Sequence, residues 1–330
     1  MSFKRLDPED FLVSIDSITS TAWSTNAPTL TTFYTSSITS TNDSYYKNVY
    51  QTASSLTTAA VQFAIAYGNK LGSGSVYFNP LVPGVSPTRT VYGQYRNLIY
   101  GDENAAFIFG GVTASDFWAI SVDRARYREH LLKGTFNLKI SGSGLGYLHL
   151  TDNSGMVSTD TYLDCGRVYQ IISGSNGTAY SGTGYTANSG SYGLFLPDIS
   201  TIILNPEALN ASLALAPSRS NNADGGNIGK LFTAISGAAS FQLNSEEQVT
   251  SDYVFVRARN SEFNYSENPS YISGSTGDVI YSVFINSPQT YITTVGFYND
   301  TNELLAVAKL SKPLTKDFTK EALVRVKLDF

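Results

Sequence analysis

The sequence predicts a mainly β protein with antiparallel, sandwich-like sheets and two or three short helices. Most apolar residues lie in short runs that alternate with polar residues and end at Gly, Pro or Asn, which is typical of strands. Two segments have helix signals: one begins with an N-cap residue followed by proline, and the other places its apolar residues on one helical face. The chain of 330 residues is long enough for one large β domain or for two ordinary domains with separate cores.

The composition predicts a weakly charged surface that is rich in tyrosine. Charged residues make up 15% of the chain, against roughly 25% in a typical soluble protein. There are 22 Tyr and 18 Phe, and Tyr joins a large apolar face to a hydrogen-bonding hydroxyl, which suits interfaces. The formal net charge is -5 and the basic residues are scattered, so we expect no nucleic acid partner.

The cysteine content and the hydropathy exclude several kinds of site. The single cysteine, Cys165, allows neither an internal disulfide nor a thiolate metal cluster. Apolar runs stay well short of the roughly 20 residues that cross a bilayer, so we expect no membrane insertion. The two basic residues of the N-terminus are followed by acidic residues, unlike those of a signal peptide, which predicts a protein that is not secreted.

Residues 1–60 are predicted to form an extended region, rich in Ser, Thr and Tyr, that packs on neighbouring subunits. Asp7 is a candidate helix N-cap and Pro8 a candidate first helical residue, so a short helical turn is expected there. The Ser- and Thr-rich stretch that follows contains Trp23 and Phe33. Disordered linkers rarely contain so many aromatic residues, so this stretch is expected to pack on something.

Residues 61–204 are predicted to form a β domain. Its expected strands include VQFAIAY, SVYFN, RNLIYG, AAFIFGG and FWAISVD. Two further strands are expected around a Gly-Ser turn within SGSGLG, which begins at residue 141. A loop of roughly 15 residues follows RVYQII; loops of that length are usually functional or mobile.

Residues 205–240 are predicted to be a helical and loop connection, with a boundary between two lobes near 200–240. Asn205 is a candidate N-cap, followed by Pro206. A second helix is expected to place one apolar face inward, formed by Ile228, Leu231, Phe232 and Ile235.

Residues 241–330 are predicted to form a C-terminal β region. GFYNDTNELLAVAKL is a hairpin candidate with NDTN as its turn. The last strand is expected to alternate: one face would hold Val324, Val326, Leu328 and Phe330, and the other Arg325, Lys327 and Asp329.

The sequence contains no catalytic signature. Neither His130 nor His149 has the spacing of a metal motif. There is no nucleophile elbow of the GxSxG type and no phosphate-binding glycine loop. We therefore expect a protein that is not an enzyme, with no catalytic residues, no metal and no cofactors.

The segment VRARNSEFNYSENPSYISGSTGD, residues 256–278 and hereafter the docking loop, is the candidate interaction site. It begins as a strand and continues as an irregular run of Asn, Ser, Glu and Tyr. Arginine forms bidentate contacts and stacks on rings, so the prediction is a loop pinned by arginines and projecting from a sheet. The alternative is a loop that is satisfied internally and has no partner. The candidate interaction residues are Arg257, Arg259, Asn260, Phe263, Tyr265, Asn268 and Tyr271.

The docking loop, with the following TTVGFYNDTNELLAVAKLSKPLTKDFTKEALVRVKLDF, resembles the C-terminal portion of structural proteins of contractile-tailed phages, especially cyanophage-like marine myoviruses. MSFKRLDPEDFLVSIDSITSTAW and GSYGLFLPDI are similar to the same group. TVGFYNDTNELLAVAKL is also similar to segments of phage attachment modules of tail fibres or baseplates.

The resemblance implies a virion structural protein of the baseplate or tail region, assembled in the host cytoplasm. Its partners would be other virion proteins and copies of itself in a symmetric assembly. It implies no catalytic residue. Two alternatives stay open: a head, neck or capsid decoration protein, and a fibre-type module that binds a receptor or glycan, for which the long loop at 173–191 could form a site.

Overall fold

A computed structural model describes residues 3–35, 45–79, 81–82, 84–142 and 146–329. The first strands are β1 (Phe11–Thr21), β2 (Thr29–Leu30), β3 (Tyr34–Thr35), β4 (Tyr46–Tyr50), β5 (Val61–Asn69), β6 (Phe107–Phe109) and β7 (Val112–Ala114). The central strands are β8 (Asp116–Val122), β9 (His130–Leu131), β10 (Asn137–Ser141), β11 (Tyr147–Asp152), β12 (Thr161–Leu163), β13 (Gly166–Ser175) and β14 (Thr178–Ala179). The last are β15 (Gly193–Leu196), β16 (Thr201–Leu204), β17 (Phe241–Gln242), β18 (Asn244–Ala258), β19 (Thr290–Tyr298), β20 (Leu304–Lys316) and β21 (Ala322–Asp329). The α-helices are α1 (Thr88–Tyr100), α2 (Pro206–Leu213), α3 (Asn227–Ala238) and α4 (Val283–Asn286).

The predicted fold class is confirmed: strands dominate and the sheets are antiparallel. Both helices expected in the 205–240 region are present. The side chain of Asn205 accepts a hydrogen bond from the backbone N–H of Glu207 at 3.1 Å, which caps α2. In the part of the chain that the structure describes, no helix is long and apolar enough to cross a bilayer.

The chain divides into two compact units. The larger unit is Ile18–Glu247, and the smaller unit combines Met1–Ser17 with Gln248–Phe330. This differs from the boundary expected near 200–240, because α2 and α3 pack within the core of the larger unit. Residues 1–60 are likewise divided between the two units.

The larger unit is built on one sheet in which every strand pair is antiparallel. Its order is β2-β17-β10-β11-β13-β15-β16-β8-β5-β4-β3, with β12 and β14 paired to β13. Helix α3 contacts both β5 and β10, which are separated by five strands in this order. The sheet therefore curls around α3.

The central strands bury side chains on both faces. In β8, Trp118 and Ile120 belong to the core that contains α2 and α3, whereas Phe117 and Ala119 belong to the core under α1. Continuous apolar runs are typical of strands that are covered on both sides. The indole N–H of Trp118 donates to the carbonyl of Asn227 at 2.9 Å and so fixes the start of α3 against the sheet.

Two predicted strands are wrong. RNLIYG forms the last turns of α1, and SVYFN contains a 3-10 turn over Ser75–Tyr77. The buried residues of α1 include Val91, Tyr92 and Ile99, a helical face made of residue types that favour strands. Packing of this face on the sheet outweighs local propensity.

The Ser- and Thr-rich N-terminal region enters the core of its own chain. Trp23 is 1% exposed, and its ring centroid lies 4.8 Å from Phe241 and 6.2 Å from Phe63. The backbone N–H of Ala22 donates to Leu243 at 3.2 Å. This part of the predicted neighbour-binding region therefore packs internally. Residues 36–44 lie outside the described residues, as do residues 143–145 of the predicted Gly-Ser turn and Phe330.

The smaller unit is built from two small sheets. One sheet runs in the order β1-β18-β21, and β19 and β20 form a separate two-stranded hairpin. The predicted turn at 299–302 joins the hairpin strands. β21 alternates as expected, because Val324, Val326 and Leu328 are less exposed than the charged residues between them. The first residues of β18 belong to the larger unit, where Ser245 and Glu246 pair with β9.

Candidate interaction surface

All seven candidate interaction residues lie in the smaller unit, at the end of β18 or in the segment 259–289 that leads to β19. Five of them are exposed: Arg257, Arg259, Asn260, Tyr265 and Asn268. Phe263 is half-buried and Tyr271 is buried. The structure therefore brings the candidates into one segment, with their side chains in different environments.

The two arginines do not act as the expected pins. The Arg257 guanidinium pairs with Glu321, next to β21, with Nη2 2.7 Å from Oε2. The hydrogen bonds that Arg257 donates to Glu321 raise the pKa of Arg257, but exposed ion pairs stabilise a fold only weakly. Arg259 contributes its backbone N–H, which donates to the Glu262 carboxylate at 2.8 Å.

A buried lysine holds the start of the docking loop instead. Lys316, the last residue of β20, has no exposed surface. Its ammonium donates to the carbonyl of Asn260 at 3.0 Å, to Oδ1 of Asn264 at 2.8 Å and to the carbonyl of Asp317 at 2.9 Å. Three acceptors satisfy the three N–H groups of a lysine. These hydrogen bonds therefore connect the end of β20 to the docking loop.

A second hydrogen bond, from the first residue of β19, fixes the backbone at Phe263. The hydroxyl of Thr290, the cross-strand partner of Lys316, donates to the carbonyl of Phe263 at 2.5 Å. Phe263 has a φ of 54°, a left-handed conformation that is uncommon for residues other than glycine. The hydrogen bonds around it hold this backbone in place.

Aromatic rings continue from the docking loop to α4. Tyr265 packs edge-on against Tyr271 at 5.9 Å between centroids, and Tyr271 stacks on Phe284 at 5.2 Å. Tyr281 contacts Phe284 edge-on at 6.1 Å. Tyr265 and Tyr281 are 54% and 58% exposed, so this row presents aromatic surface supported by the buried Tyr271 and the half-buried Phe284.

The extent of exposed apolar surface in the smaller unit is not evident from the sequence. Among the described residues, the larger unit has 45 buried hydrophobic residues and 17 exposed large ones, whereas the smaller unit has five buried and 17 exposed. We call these 17 residues the open surface. They are Phe3, Phe11, Leu12, Val13, Ile15, Tyr265, Ile280, Tyr281, Val283, Ile285, Tyr291, Tyr298, Leu304, Leu305, Val307, Phe318 and Leu323.

Strand β1 provides the most regular part of the open surface. It is an edge strand hydrogen-bonded to β18, and Val13 and Ile15 are 63% and 65% exposed. Asp16 lies 3.9 Å from the ammonium of Lys327 on β21. Because successive side chains alternate, Val13 and Ile15 lie on the opposite face. An apolar stripe on a sheet edge invites pairing with another chain.

We expect Lys316→Met to loosen the docking loop. The substitution keeps the length of the side chain but leaves the carbonyl of Asn260 and Oδ1 of Asn264 without their donor, which costs about 1–3 kcal/mol. Hydrogen–deuterium exchange of residues 259–264 should accelerate. Lys312→Met, at an exposed position of the same strand, is the control; equal exchange in the two variants would contradict this role for Lys316.

Among the residues that the structure describes, no group of three or more His, Cys, Asp or Glu residues could hold a metal ion. His130 lies 3.0 Å from Glu246 as part of the β9–β18 contact. Partial burial raises the pKa of the Cys165 thiol, which keeps it in the less reactive protonated form.

Comparison with protein-family models found no match. Searches of curated proteins and of solved structures found none either.

Proposed function

We propose that this chain is a structural component of a phage virion, in the baseplate or neighbouring tail region, and that it functions by packing between other subunits. The observation that carries the proposal is the open surface of the smaller unit. The resemblance of the docking loop and of the segments around it to structural proteins of contractile-tailed phages supplies the class of particle.

The smaller unit has too little core for its size. Among its described residues, the buried hydrophobic ones are Val254, Ala258, Tyr271, Ala322 and Val326, and two of these are alanines. A two-stranded hairpin such as β19–β20 is only marginally stable by itself. Exposed apolar patches larger than a few hundred Å² mark interaction sites in soluble proteins. Contact with neighbouring subunits would complete this core.

The secondary structure offers a second mode of contact. β1 and β21 end the path of their sheet, and within the described residues the hairpin strands β19 and β20 pair with each other alone. Such strands can add a strand from another chain, with main-chain hydrogen bonds supplying affinity and side-chain pockets supplying specificity. Repeated contacts of this kind build closed symmetric assemblies from many copies.

The low charge of the chain suits the same role. Interface centres are depleted in charged residues and enriched in Tyr and Phe. Tyr265, Tyr281, Tyr291 and Tyr298 all belong to the open surface. Partners would be other virion proteins and further copies of this chain, joined in the host cytoplasm before the particle is complete.

Mass spectrometry of purified particles of the phage that encodes the chain tests the proposal. We expect the protein in intact virions at a constant copy number, and in tails separated from heads. A reconstruction of the particle should then show neighbouring subunits on the open surface. Absence from purified virions would refute the structural role, and presence in heads alone would replace the tail location with a head or neck location.

A further inference from the structure

A polar groove lies on the larger unit, separate from the open surface. It crosses β10, β11 and the end of β13, and one rim is the turn between β13 and β14. Its volume is about 370 Å³, within the range of roughly 300–1,000 Å³ that small-molecule sites occupy. Alternate residues of β10, Leu138 and Ile140, point into the core, so the groove is on the face opposite the core.

The groove is lined mainly by hydrogen-bonding groups, and none of the described residues that line it is acidic. Lys139 and His149 are cross-strand partners on β10 and β11, and Asn137 is the partner of Gln242 on β17. The rest of the polar lining is Ser175, Asn176, Tyr180 and Ser240. Amides, hydroxyls and an ammonium together can donate to and accept from a ligand with many hydroxyl groups.

Tyr180 presents an aromatic ring at the rim. Its side chain is 62% exposed, and its hydroxyl shares a hydrogen bond of 3.2 Å with Nδ1 of His149. The two rings meet edge-to-face, with centroids 6.0 Å apart. The ring is therefore held at one end while most of its surface remains accessible, as a stacking platform requires.

The turn that forms the rim is fixed before any ligand binds. Nδ2 of Asn137 donates to Oδ1 of Asn176 at 2.8 Å, and the backbone N–H of Asn176 donates back to Oδ1 of Asn137 at 2.8 Å. The N–H of Gly177 donates to the Thr151 hydroxyl at 2.9 Å. A preformed site binds more tightly because less ordering is needed on binding.

The charge of the groove is positive. In the part of the chain that the structure describes, Lys139 makes no ion pair, and every carboxylate lies outside the lining. Partial burial, and then the charge of Lys139, lower the pKa of His149, so the imidazole is largely neutral near pH 7. Lys139 is therefore the cation of the site, and it favours an anionic ligand.

We propose that this groove binds an acidic saccharide, a sugar chain that carries carboxylate groups. A sugar has an apolar face of C–H groups, which would stack on Tyr180. Its hydroxyls would bond with Asn176, Gln242 and Ser240, and its carboxylate would pair with Lys139. This binding is independent of the assembly role, since the groove and the open surface share no residue.

Titration calorimetry of the full-length chain with trigalacturonic acid, and with neutral maltotriose as the comparison sugar, tests the inference. We expect measurable binding of trigalacturonic acid at low ionic strength and at least tenfold weaker binding of maltotriose. Tyr180→Ala should weaken trigalacturonic acid binding about tenfold, equivalent to about 1.4 kcal/mol. Lys139→Gln should weaken binding of the acidic sugar and leave that of the neutral sugar unchanged.

Tyr162→Ala is the matched control, because Tyr162 on β12 is 65% exposed and lies outside the groove; it should bind like the wild type. Unfolding midpoints of all variants should agree, since the replaced side chains are at the surface. Equal binding of the two sugars, undiminished binding by Tyr180→Ala, or no binding by the wild type would each overturn the inference. Presence or absence of the chain in virions has no bearing on these results, so the two proposals fail separately.

Discussion

Replacing Trp23 by alanine should lower the free energy of unfolding by about 3–5 kcal/mol, the usual cost of removing a fully buried large aromatic side chain. Trp23 lies between Phe63 of β5 and Phe241 of β17, and it is 1% exposed. The cavity would open between the N-terminal region and the sheet. Denaturant unfolding of the isolated chain, followed by circular dichroism, measures the loss.

Tyr46→Ala is the control for Trp23→Ala. Tyr46 belongs to the same N-terminal region, on β4, but is 59% exposed, so its removal should change stability by no more than about 0.5 kcal/mol. If the region folded only against neighbouring subunits, both substitutions would leave the stability of the isolated chain unchanged. That result would contradict the internal packing of Trp23.

The double substitution Val13→Lys and Ile15→Lys should abolish incorporation into virions while leaving the isolated chain folded. Both side chains are mostly exposed on the edge strand β1, so lysines there remain solvated in the free protein. Within an interface, two unpaired ammonium groups would have to be desolvated, at a cost of several kcal/mol. Each 1.4 kcal/mol weakens binding about tenfold, so we expect at least a hundredfold loss.

Quantitative mass spectrometry of virions, produced with the variant as the only source of the chain, measures this loss. The control is Leu98→Lys with Ile108→Lys, which introduces the same charge at exposed apolar positions of the larger unit. These residues are 51% and 50% exposed, and the control should be incorporated normally. Normal incorporation of the β1 variant, with unfolding midpoints equal to the wild type, would show that β1 is not a contact in the particle.

Local patterns in the sequence predict much of the fold. Alternation locates β5 and β21, a continuous apolar run locates β8, the cap at Asn205 locates α2, and turn residues locate the β19–β20 hairpin. These features depend on neighbours in sequence, which is why they can be read directly. The order of the large sheet cannot be read in this way, because pairs such as β2 with β17 join residues about 200 positions apart.

Helix α1 shows where prediction from local sequence fails. Its Thr, Val, Tyr and Ile residues favour strands in isolation, and a helix forms because Val91, Tyr92 and Ile99 fill the space beneath the sheet. The docking loop shows the same limit at the candidate site. Its irregular composition marks it in the sequence, but Lys316 is one of 22 basic residues, and nothing local indicates that it is buried.

The smaller unit is made from both ends of the chain, with Met1–Ser17 contributing an edge strand to a sheet completed by Gln248–Phe330. During synthesis, the N-terminal piece leaves the ribosome first and must wait while residues 18–247 are translated. At about 5–20 residues per second, this delay is on the order of 10–50 s, ample time for the larger unit to begin folding. The open surface would therefore be completed last. This order would limit association between incompletely synthesised chains.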